Sequence, residues 1–158
     1  MTVTAINASD GPRELLPAGT LPTVALAAPG GSRIDVITRE GWGCDESLVV
    51  ARLGKDRDAL WPEMYVPAKK VVLHHTATSN GYTDGAAEVR AVWSYHAITL
   101  GWGDIGYNAL VDRFGNIYEG RHGRGEDPGT REILSADVVA GHVYYHNYGS
   151  TGIAAVGH

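Results

Sequence analysis

The sequence lacks the features of several protein classes. It has a single cysteine among 158 residues, and this excludes small folds that depend on intramolecular disulfides. No stretch reaches the roughly 20 apolar residues of a membrane-spanning helix. Lys and Arg number 13 against 18 Asp and Glu, a net charge of −5, which argues against a nucleic-acid or anionic-lipid partner. We therefore expect a globular chain with no membrane span and no nucleic-acid partner.

The composition of the chain suits a single folded domain. Hydrophobic residues make up 44% of the chain, enough to build an ordinary core. Seven histidines and four tryptophans are the unusual features of the composition. The sequence contains no phosphate loop, no dinucleotide fingerprint and no Gly-x-Ser-x-Gly turn. These absences leave the histidines as the first candidates for chemistry.

The first 32 residues differ in composition from the rest. Residues 1–32 hold four of the seven prolines and no sustained apolar period, which predicts a disordered leader or linker. They lack the basic start followed by a continuous apolar run that marks a secretory signal peptide. We therefore expect the folded domain to span residues 33–158.

A strand and a helix are predicted in the middle of the chain. Lys70–His75 is a short apolar run with β-branched residues, which predicts a buried strand. Asp84 can accept a hydrogen bond from the first turn of a helix, and Gly101 can end that helix. The expected apolar face of this helix comprises Val89, Val92, Trp93, His96 and Leu100.

A hairpin and a last strand follow the helix. Residues 106–111 and 116–119 flank a turn with Gly115, which predicts a β-hairpin. Residues 121–138 predict a polar loop, and residues 152–157 are apolar enough for a central strand. The order of these elements predicts an α/β fold with a mixed central β-sheet flanked by helices.

The two histidines that end the first predicted strand face opposite ways. Neighbours in a strand alternate between faces, so His74 shares a face with Thr76 while His75 shares one with Leu73. One of the two can ligate a metal together with ligands from other elements. The more frequent alternative, judged from spacing alone, is a pair of hydrogen-bonded histidines at a strand end.

Other side chains also allow two interpretations. His96 lies on the apolar helix face, where a hydrogen-bonded core histidine is more frequent than a ligand. Tyr107 is either a core residue or a donor to a developing oxyanion. His142 and Asn147 border a glycine-containing turn, where exposed polar groups often bind ligands. Cys44 has no basic neighbour in sequence, which favours a small buried side chain over a nucleophile.

Several motifs occur together and in a fixed order. They are Arg39–Ser47, Val71–Ala77, Tyr95-His96 with Gly101–Asn108, Leu110–Arg121, and Val139–Asn147 with Thr151–Gly157. In this order they resemble the domains of peptidoglycan recognition proteins and type 2 N-acetylmuramoyl-L-alanine amidases. The resemblance covers most of the chain after Ile37.

The resemblance implies a zinc-dependent hydrolase that cuts the amide between the lactyl group of muramic acid and L-alanine. It implies that His74 is a Zn²⁺ ligand and that Tyr107 is catalytic and stabilises the tetrahedral oxyanion. It further implies a peptidoglycan or muropeptide partner and an extracellular or cell-wall location. The positions implied to line the muropeptide groove are Thr76, His96, His142 and Asn147.

One departure from the family pattern bears on activity. In the family, the last helix and two further zinc ligands follow the final strand, whereas this sequence ends at His158 directly after it. We therefore expect the domain to be incomplete at its C-terminus, with one sheet face exposing apolar side chains. Recruiting His142 or His158 as a ligand would need an unrelated geometry. The alternatives to an amidase are a non-catalytic muropeptide-binding module and an inactive fragment.

Overall fold

One mixed sheet organises the fold. The computed structural model describes residues 21–48, 61–125 and 130–158. Within them, six strands lie in the order β1-β2-β5-β4-β6-β3, which confirms the predicted mixed α/β sheet. The strands are β1 (Thr23–Ala27), β2 (Arg33–Ile37), β3 (Lys70–His75), β4 (Ala109–Val111), β5 (Ile117–Glu119) and β6 (Ser150–Ala155), and the helices are α1 (Arg39–Trp42) and α2 (Gly85–Ser94).

The predicted hairpin is confirmed. Strands β4 and β5 are antiparallel, with Leu110 opposite Tyr118. The Asp112 carboxylate accepts hydrogen bonds from the backbone amides of Phe114 (2.8 Å) and Asn116 (2.9 Å). Gly115 has a φ of +87°, a conformation that glycine adopts without steric cost. Local turn chemistry therefore closes the hairpin, as the sequence indicates.

The expected leader is ordered in part. Thr23–Ala27 pairs along its whole length with β2 in an antiparallel register, so the prediction of disorder is wrong for this strand. Leu21 also packs against the buried core. Main-chain hydrogen bonds to β2 fix this segment although its side chains are mostly exposed, and such pairing leaves little trace in a hydrophobicity pattern. Residues 1–20 lie outside the described residues.

Helix α2 forms as predicted and then widens. The Asp84 carboxylate accepts a hydrogen bond from the Ala87 amide at 3.0 Å, which confirms the N-terminal cap. From Tyr95 to Thr99 the backbone continues as a π-helical turn. Leu100, expected on the buried face, is 41% exposed. The wider turn takes up an extra residue and rotates Leu100 away from the face that the 3.6-residue period predicts.

Strand β3 corrects another expectation. It lies at the edge of the sheet, and Val71 and Leu73 are 64% and 77% exposed, so the prediction of a buried strand is wrong for this face. Nothing among the described residues covers these two side chains. The outcome agrees with the expected exposed apolar face. Strand β6, predicted to be central, does have a neighbour on each side.

The core lies on the α2 side of the sheet. Ile37, Tyr118, Leu110 and Ala154 are register partners across four adjacent strands, and they share one buried cluster with α2. Register partners point to the same face. His74 pairs with Ala154 and is therefore the last member of this row, at the sheet edge.

No helix in the described part of the chain is long and apolar enough to cross a membrane.

A buried ion network joins the segments around the sheet. It comprises Arg39, Asp104, Glu119, Arg121 and Arg131, all at most 6% exposed. The Asp104 carboxylate accepts from Arg39 Nη1 (2.9 Å) and Arg121 Nη1 (3.0 Å), and Glu119 accepts from Arg131 Nη2 at 2.7 Å. Burial alone raises the pKa of the Asp104 carboxyl, but the two arginine charges outweigh it and hold the pKa below its usual range. Asp104 is therefore an anion in the folded protein.

The Asp104→Asn variant tests this network. It leaves the buried Arg121 guanidinium without a carboxylate partner among the described residues, whereas Arg39 keeps its ion pair with Glu46. The free energy of unfolding should therefore fall by about 3 kcal/mol. Urea unfolding followed by circular dichroism measures the change. Asp35→Asn is the control, because Asp35 lies exposed on β2, and it should shift stability by less than about 0.5 kcal/mol. Equal effects of the two substitutions would contradict a stabilising role for Asp104.

Candidate functional site

A small cleft opens near His74, at the edge of the sheet. It has a volume of about 50 Å³ and lies between the end of β3, the end of α2 and Tyr107. Parallel pairing with β6 sets where β3 ends, and the π-helical turn sets where the helix end lies. The cleft is lined by Thr76, Thr78, Ala91, Val92, Tyr95, His96 and Tyr107.

Two histidines meet at the edge of this cleft. His74 Nε2 and His142 Nδ1 are 3.1 Å apart, although 68 residues separate them in sequence. His142 Nε2 lies 3.2 Å from the Ser150 hydroxyl. The ring of His142 lies against Gly152, where a Cβ would overlap it. Burial lowers the pKa of both imidazoles, so the pair is neutral at neutral pH.

Tyr107 lies between this pair and the helix. Its ring centroid is 5.6 Å from that of His74 and 5.5 Å from that of His96. Burial raises the pKa of its hydroxyl, which therefore keeps its proton at neutral pH. Within the described residues the hydroxyl makes no hydrogen bond. A half-buried donor without a protein partner is available to a ligand in the cleft.

His96 is held in one orientation. Its Nδ1 accepts a hydrogen bond from the Gly106 amide at 3.1 Å, and its ring stacks on Trp102 at 4.9 Å. Burial lowers the pKa of His96 to about 4. Because Nδ1 accepts, the neutral ring carries its proton on Nε2. His96 is therefore hydrogen-bonded, as the more frequent interpretation predicts, and it also lines the cleft. Its contact with a ligand stays a prediction.

The remaining predicted groove residues have local partners. The Thr76 hydroxyl accepts from the Gly157 amide at 2.9 Å, which ties the end of β3 to the end of β6 while the side chain lines the cleft. Asn147 Oδ1 accepts from the Val143 amide at 2.7 Å and closes its own turn. Within the described residues no hydrogen bond joins Asn147 to the other predicted site residues. Its assignment to the groove stays a prediction.

Cysteine chemistry has no place in this site. Cys44 packs against the buried core cluster. Burial raises the pKa of its thiol, with the charge of Arg39 opposing. A protonated, partly buried thiol is a poor nucleophile.

The donor set does not fit a catalytic zinc ion. Two neutral imidazoles, those of His74 and His142, are suitable nitrogen ligands. Among residues 21–48, 61–125 and 130–158, no group of three His, Cys, Asp or Glu side chains lies close enough to hold a metal. His158 lies against His75 instead, at 4.9 Å between ring centroids. A hydrolytic zinc needs three protein ligands and a water, so these residues supply at most part of such a site.

Sequence reasoning missed four contributors. Thr78 and Tyr95 line the cleft, Trp102 stacks on His96, and Gly152 leaves room for His142. Tyr95 follows Ala91 and Val92 at helical spacing, so the period of α2 was a usable signal for it. The roles of Trp102 and Gly152 depend on contacts between distant segments and had no local signal.

The burial of His96 predicts a pH dependence of stability. Its pKa is about 4 in the folded chain and about 6.5 in the unfolded chain. Its contribution is therefore complete above pH 6.5 and is lost as the pH falls towards 4, by about 3 kcal/mol. Urea unfolding of wild type and His96→Asn between pH 7 and 4.5 measures the contribution of His96 to the pH dependence of the free energy of unfolding. Asn is chosen because it keeps an acceptor near the position of Nδ1. The same pH slope in both proteins would contradict the assignment.

Comparison with known proteins identifies the family of the chain. The family model described as N-acetylmuramoyl-L-alanine amidase matches residues 64–158, more than half of the chain. Human peptidoglycan recognition protein 3 is 33% identical over 104 residues, which cover 65% of this chain and 27% of the human protein. Peptidoglycan-recognition protein SC2 of Drosophila simulans is 46% identical over 52 residues, which cover 32% of this chain and 28% of that protein.

Solved structures show the same fold. Bumblebee PGRP-SA aligns with a TM-score of 0.53 and 29% identity, covering 77% of this chain and 60% of that chain. The ectodomain complex of PGRP-LCa and PGRP-LCx bound to tracheal cytotoxin aligns with a TM-score of 0.52 and 29% identity, covering 77% and 61%. The chain thus spans less than a third of the curated relatives above and about 60% of these solved chains. It belongs to the N-acetylmuramoyl-L-alanine amidase family, together with the peptidoglycan recognition proteins it resembles.

Proposed function

We propose that this chain binds peptidoglycan, and that its cleft takes the junction between the lactyl group of muramic acid and the stem peptide. The observation that carries the proposal is the Tyr107 hydroxyl, which has no hydrogen-bond partner among the described residues, on a ring that lies between those of His74 and His96 at the cleft. A half-buried donor of this kind suits an amide carbonyl oxygen. The Nε2–H of His96 offers a second donor of the same type.

The cleft also suits the apolar groups at that junction. Ala91 and Val92 form an apolar wall, and Tyr95 adds an aromatic side chain. The lactyl and alanyl units carry one methyl group each beside an amide. Small apolar surfaces next to a few fixed donors are typical of ligand pockets.

The solved relatives support a muropeptide ligand. PGRP-LE, 28% identical with a TM-score of 0.50, is described in complex with tracheal cytotoxin, a monomeric diaminopimelic acid-type peptidoglycan. Transfer of that ligand class to this chain is part of the proposal. A peptidoglycan ligand also makes an extracellular or cell-wall location our proposal.

Binding of muramyl dipeptide tests the function. Isothermal titration should show saturable binding to the 158-residue protein, and Tyr107→Phe should weaken it about fivefold, because one hydrogen bond to the ligand is lost. Tyr65→Phe is the matched control, since Tyr65 bonds to Glu63 and is not among the cleft-lining residues, and it should bind as wild type does. Wild-type protein that binds no muramyl dipeptide would refute the function. Unchanged binding by Tyr107→Phe would refute the role of Tyr107.

Hydrolysis of the lactyl–L-alanine amide is the second candidate function. The His74–His142 pair next to Tyr107 favours it, as does membership of an amidase family. A zinc ion held by His74 and ligands beyond the two imidazoles would polarise the carbonyl and lower the pKa of its water to about 7. In that function His74 would hold the metal, and Tyr107 would donate a hydrogen bond to the oxyanion.

Metal analysis separates binding from hydrolysis. The described residues bring only two imidazoles together, and two cannot complete a three-ligand site. The 158-residue protein should therefore retain well under one equivalent of zinc after dialysis and leave the amide intact. One tightly bound equivalent would contradict this donor count. In any longer form of the protein that does retain zinc, His74→Ala should lose the metal, whereas Tyr107→Phe should keep it and lower turnover. Retention of zinc by the His74→Ala variant would exclude His74 as a ligand.

A further inference from the structure

A loop beside the histidine pair exposes three aromatic side chains. We call residues 143–148 the tyrosine loop. Tyr144, Tyr145 and Tyr148 in it are 81%, 83% and 64% exposed, and the rings of Tyr144 and Tyr145 lie 4.1 Å apart between centroids. Tyrosine is an amphipathic side chain with few rotatable bonds, which makes it an effective contact residue. The loop contains no Lys, Arg, Asp or Glu.

The base of this loop is fixed to the site. The Asn147 side chain bonds to the Val143 amide at 2.7 Å, and the Ser150 hydroxyl lies 2.7 Å from the carbonyl oxygen of His146. Ser150 also contacts the ring of His142, which in turn meets His74. The exposed tyrosines therefore extend from a turn that is fixed by hydrogen bonds and that follows His142, one of the two paired histidines.

Tyr145 adopts a costly backbone conformation. Its φ is +66°, in the left-handed region that tyrosine seldom occupies and that glycine or asparagine tolerates. The ring gains almost no burial in return, since its described ring contact is the equally exposed Tyr144. Strain of this kind concentrates where a side chain serves a ligand. A ligand therefore explains the backbone conformation of Tyr145 better than a contact within the chain does.

We propose that Tyr144 and Tyr145 form a platform for the sugar rings of the glycan strand. This inference rests on the proposed function. If the lactyl amide lies beside Tyr107 and His74, the muramic acid ring is only one ether-linked lactyl unit away from it, and the glycan leaves the cleft next to this cluster. The tyrosine loop begins right after His142, which belongs to that cluster.

The chemistry of the loop favours sugars over other surfaces. N-acetylated sugars are uncharged and present apolar C–H faces next to hydroxyl and amide groups. A pair of tyrosines offers flat apolar rings with hydroxyl groups at their edges. An anionic lipid surface would require basic residues, and the loop has none.

Two ligands with the same peptide separate the sugar contact from the groove. One is a lactyl stem tripeptide without sugar, and the other carries that tripeptide on a tetrasaccharide of alternating N-acetylglucosamine and N-acetylmuramic acid. Wild-type protein should bind the tetrasaccharide ligand about fivefold tighter, a gain typical of aromatic contacts. Tyr145→Asn should lose this gain and keep its affinity for the lactyl tripeptide.

Matched variants guard against misfolding. Asparagine tolerates a positive φ, so Tyr145→Asn should unfold at the same temperature as wild type or higher. Tyr145→Phe keeps the ring and should keep most of the gain in affinity. A gain that survives in Tyr145→Asn would overturn the inference and leave the proposed function standing.

Two further outcomes also overturn it. Equal weakening of both ligands by Tyr145→Asn would assign Tyr145 to the peptide groove, and wild-type binding to phosphatidylcholine vesicles that the substitution abolishes would assign it to a membrane surface. Wild type that binds neither ligand would refute the proposed function and this inference together. The two proposals therefore fail in distinguishable ways.

Discussion

The buried carboxylate of Asp104 holds the structure around the cleft together. It binds Arg39 at 2.9 Å and Arg121 at 3.0 Å, and both arginines are almost fully buried. Arg39 is also paired with Glu46 at 2.6 Å, but Asp104 is the carboxylate that Arg121 binds, and an unpaired buried charge costs several kcal/mol. The three residues come from the start of α1, the loop after α2 and the end of the hairpin. One carboxylate thereby ties the loop after α2 to the neighbouring ends of β2 and β5.

A chain of side-chain contacts also connects Arg121 with the cleft. Arg121 lies over the ring of Trp61 at 3.9 Å, Trp61 meets Trp102 edge-on, and Trp102 stacks on His96. Asp104 itself lies three residues before Tyr107. The cleft is thus built on a rigid support although the helix end next to it is a wide π-helical turn. Fixed donors bind a ligand with little loss of conformational entropy, which suits a recognition site.

Recognition and hydrolysis draw on different parts of this geometry. Recognition needs the cleft, the Tyr107 hydroxyl and the imidazole of His96, all of which lie within the described residues. Hydrolysis needs three metal ligands, and the described residues bring together only His74 and His142. This difference is why peptidoglycan binding is the primary proposal and amide hydrolysis the second.

The sequence by itself determined what depends on local pattern. The cap at Asp84, the turn at Gly115, the opposite faces of His74 and His75, and the order of motifs all follow from neighbouring residues. Periodicity assigns a side chain to a face of its element but does not say what covers that face, so the apolar run Lys70–His75 predicted a buried strand although Leu73 is exposed. The pairing of His74 with His142 and of Arg39 with Asp104 spans 68 and 65 residues. Only the tertiary structure decided these contacts, because strand register and charge burial bring distant segments together without a local signal.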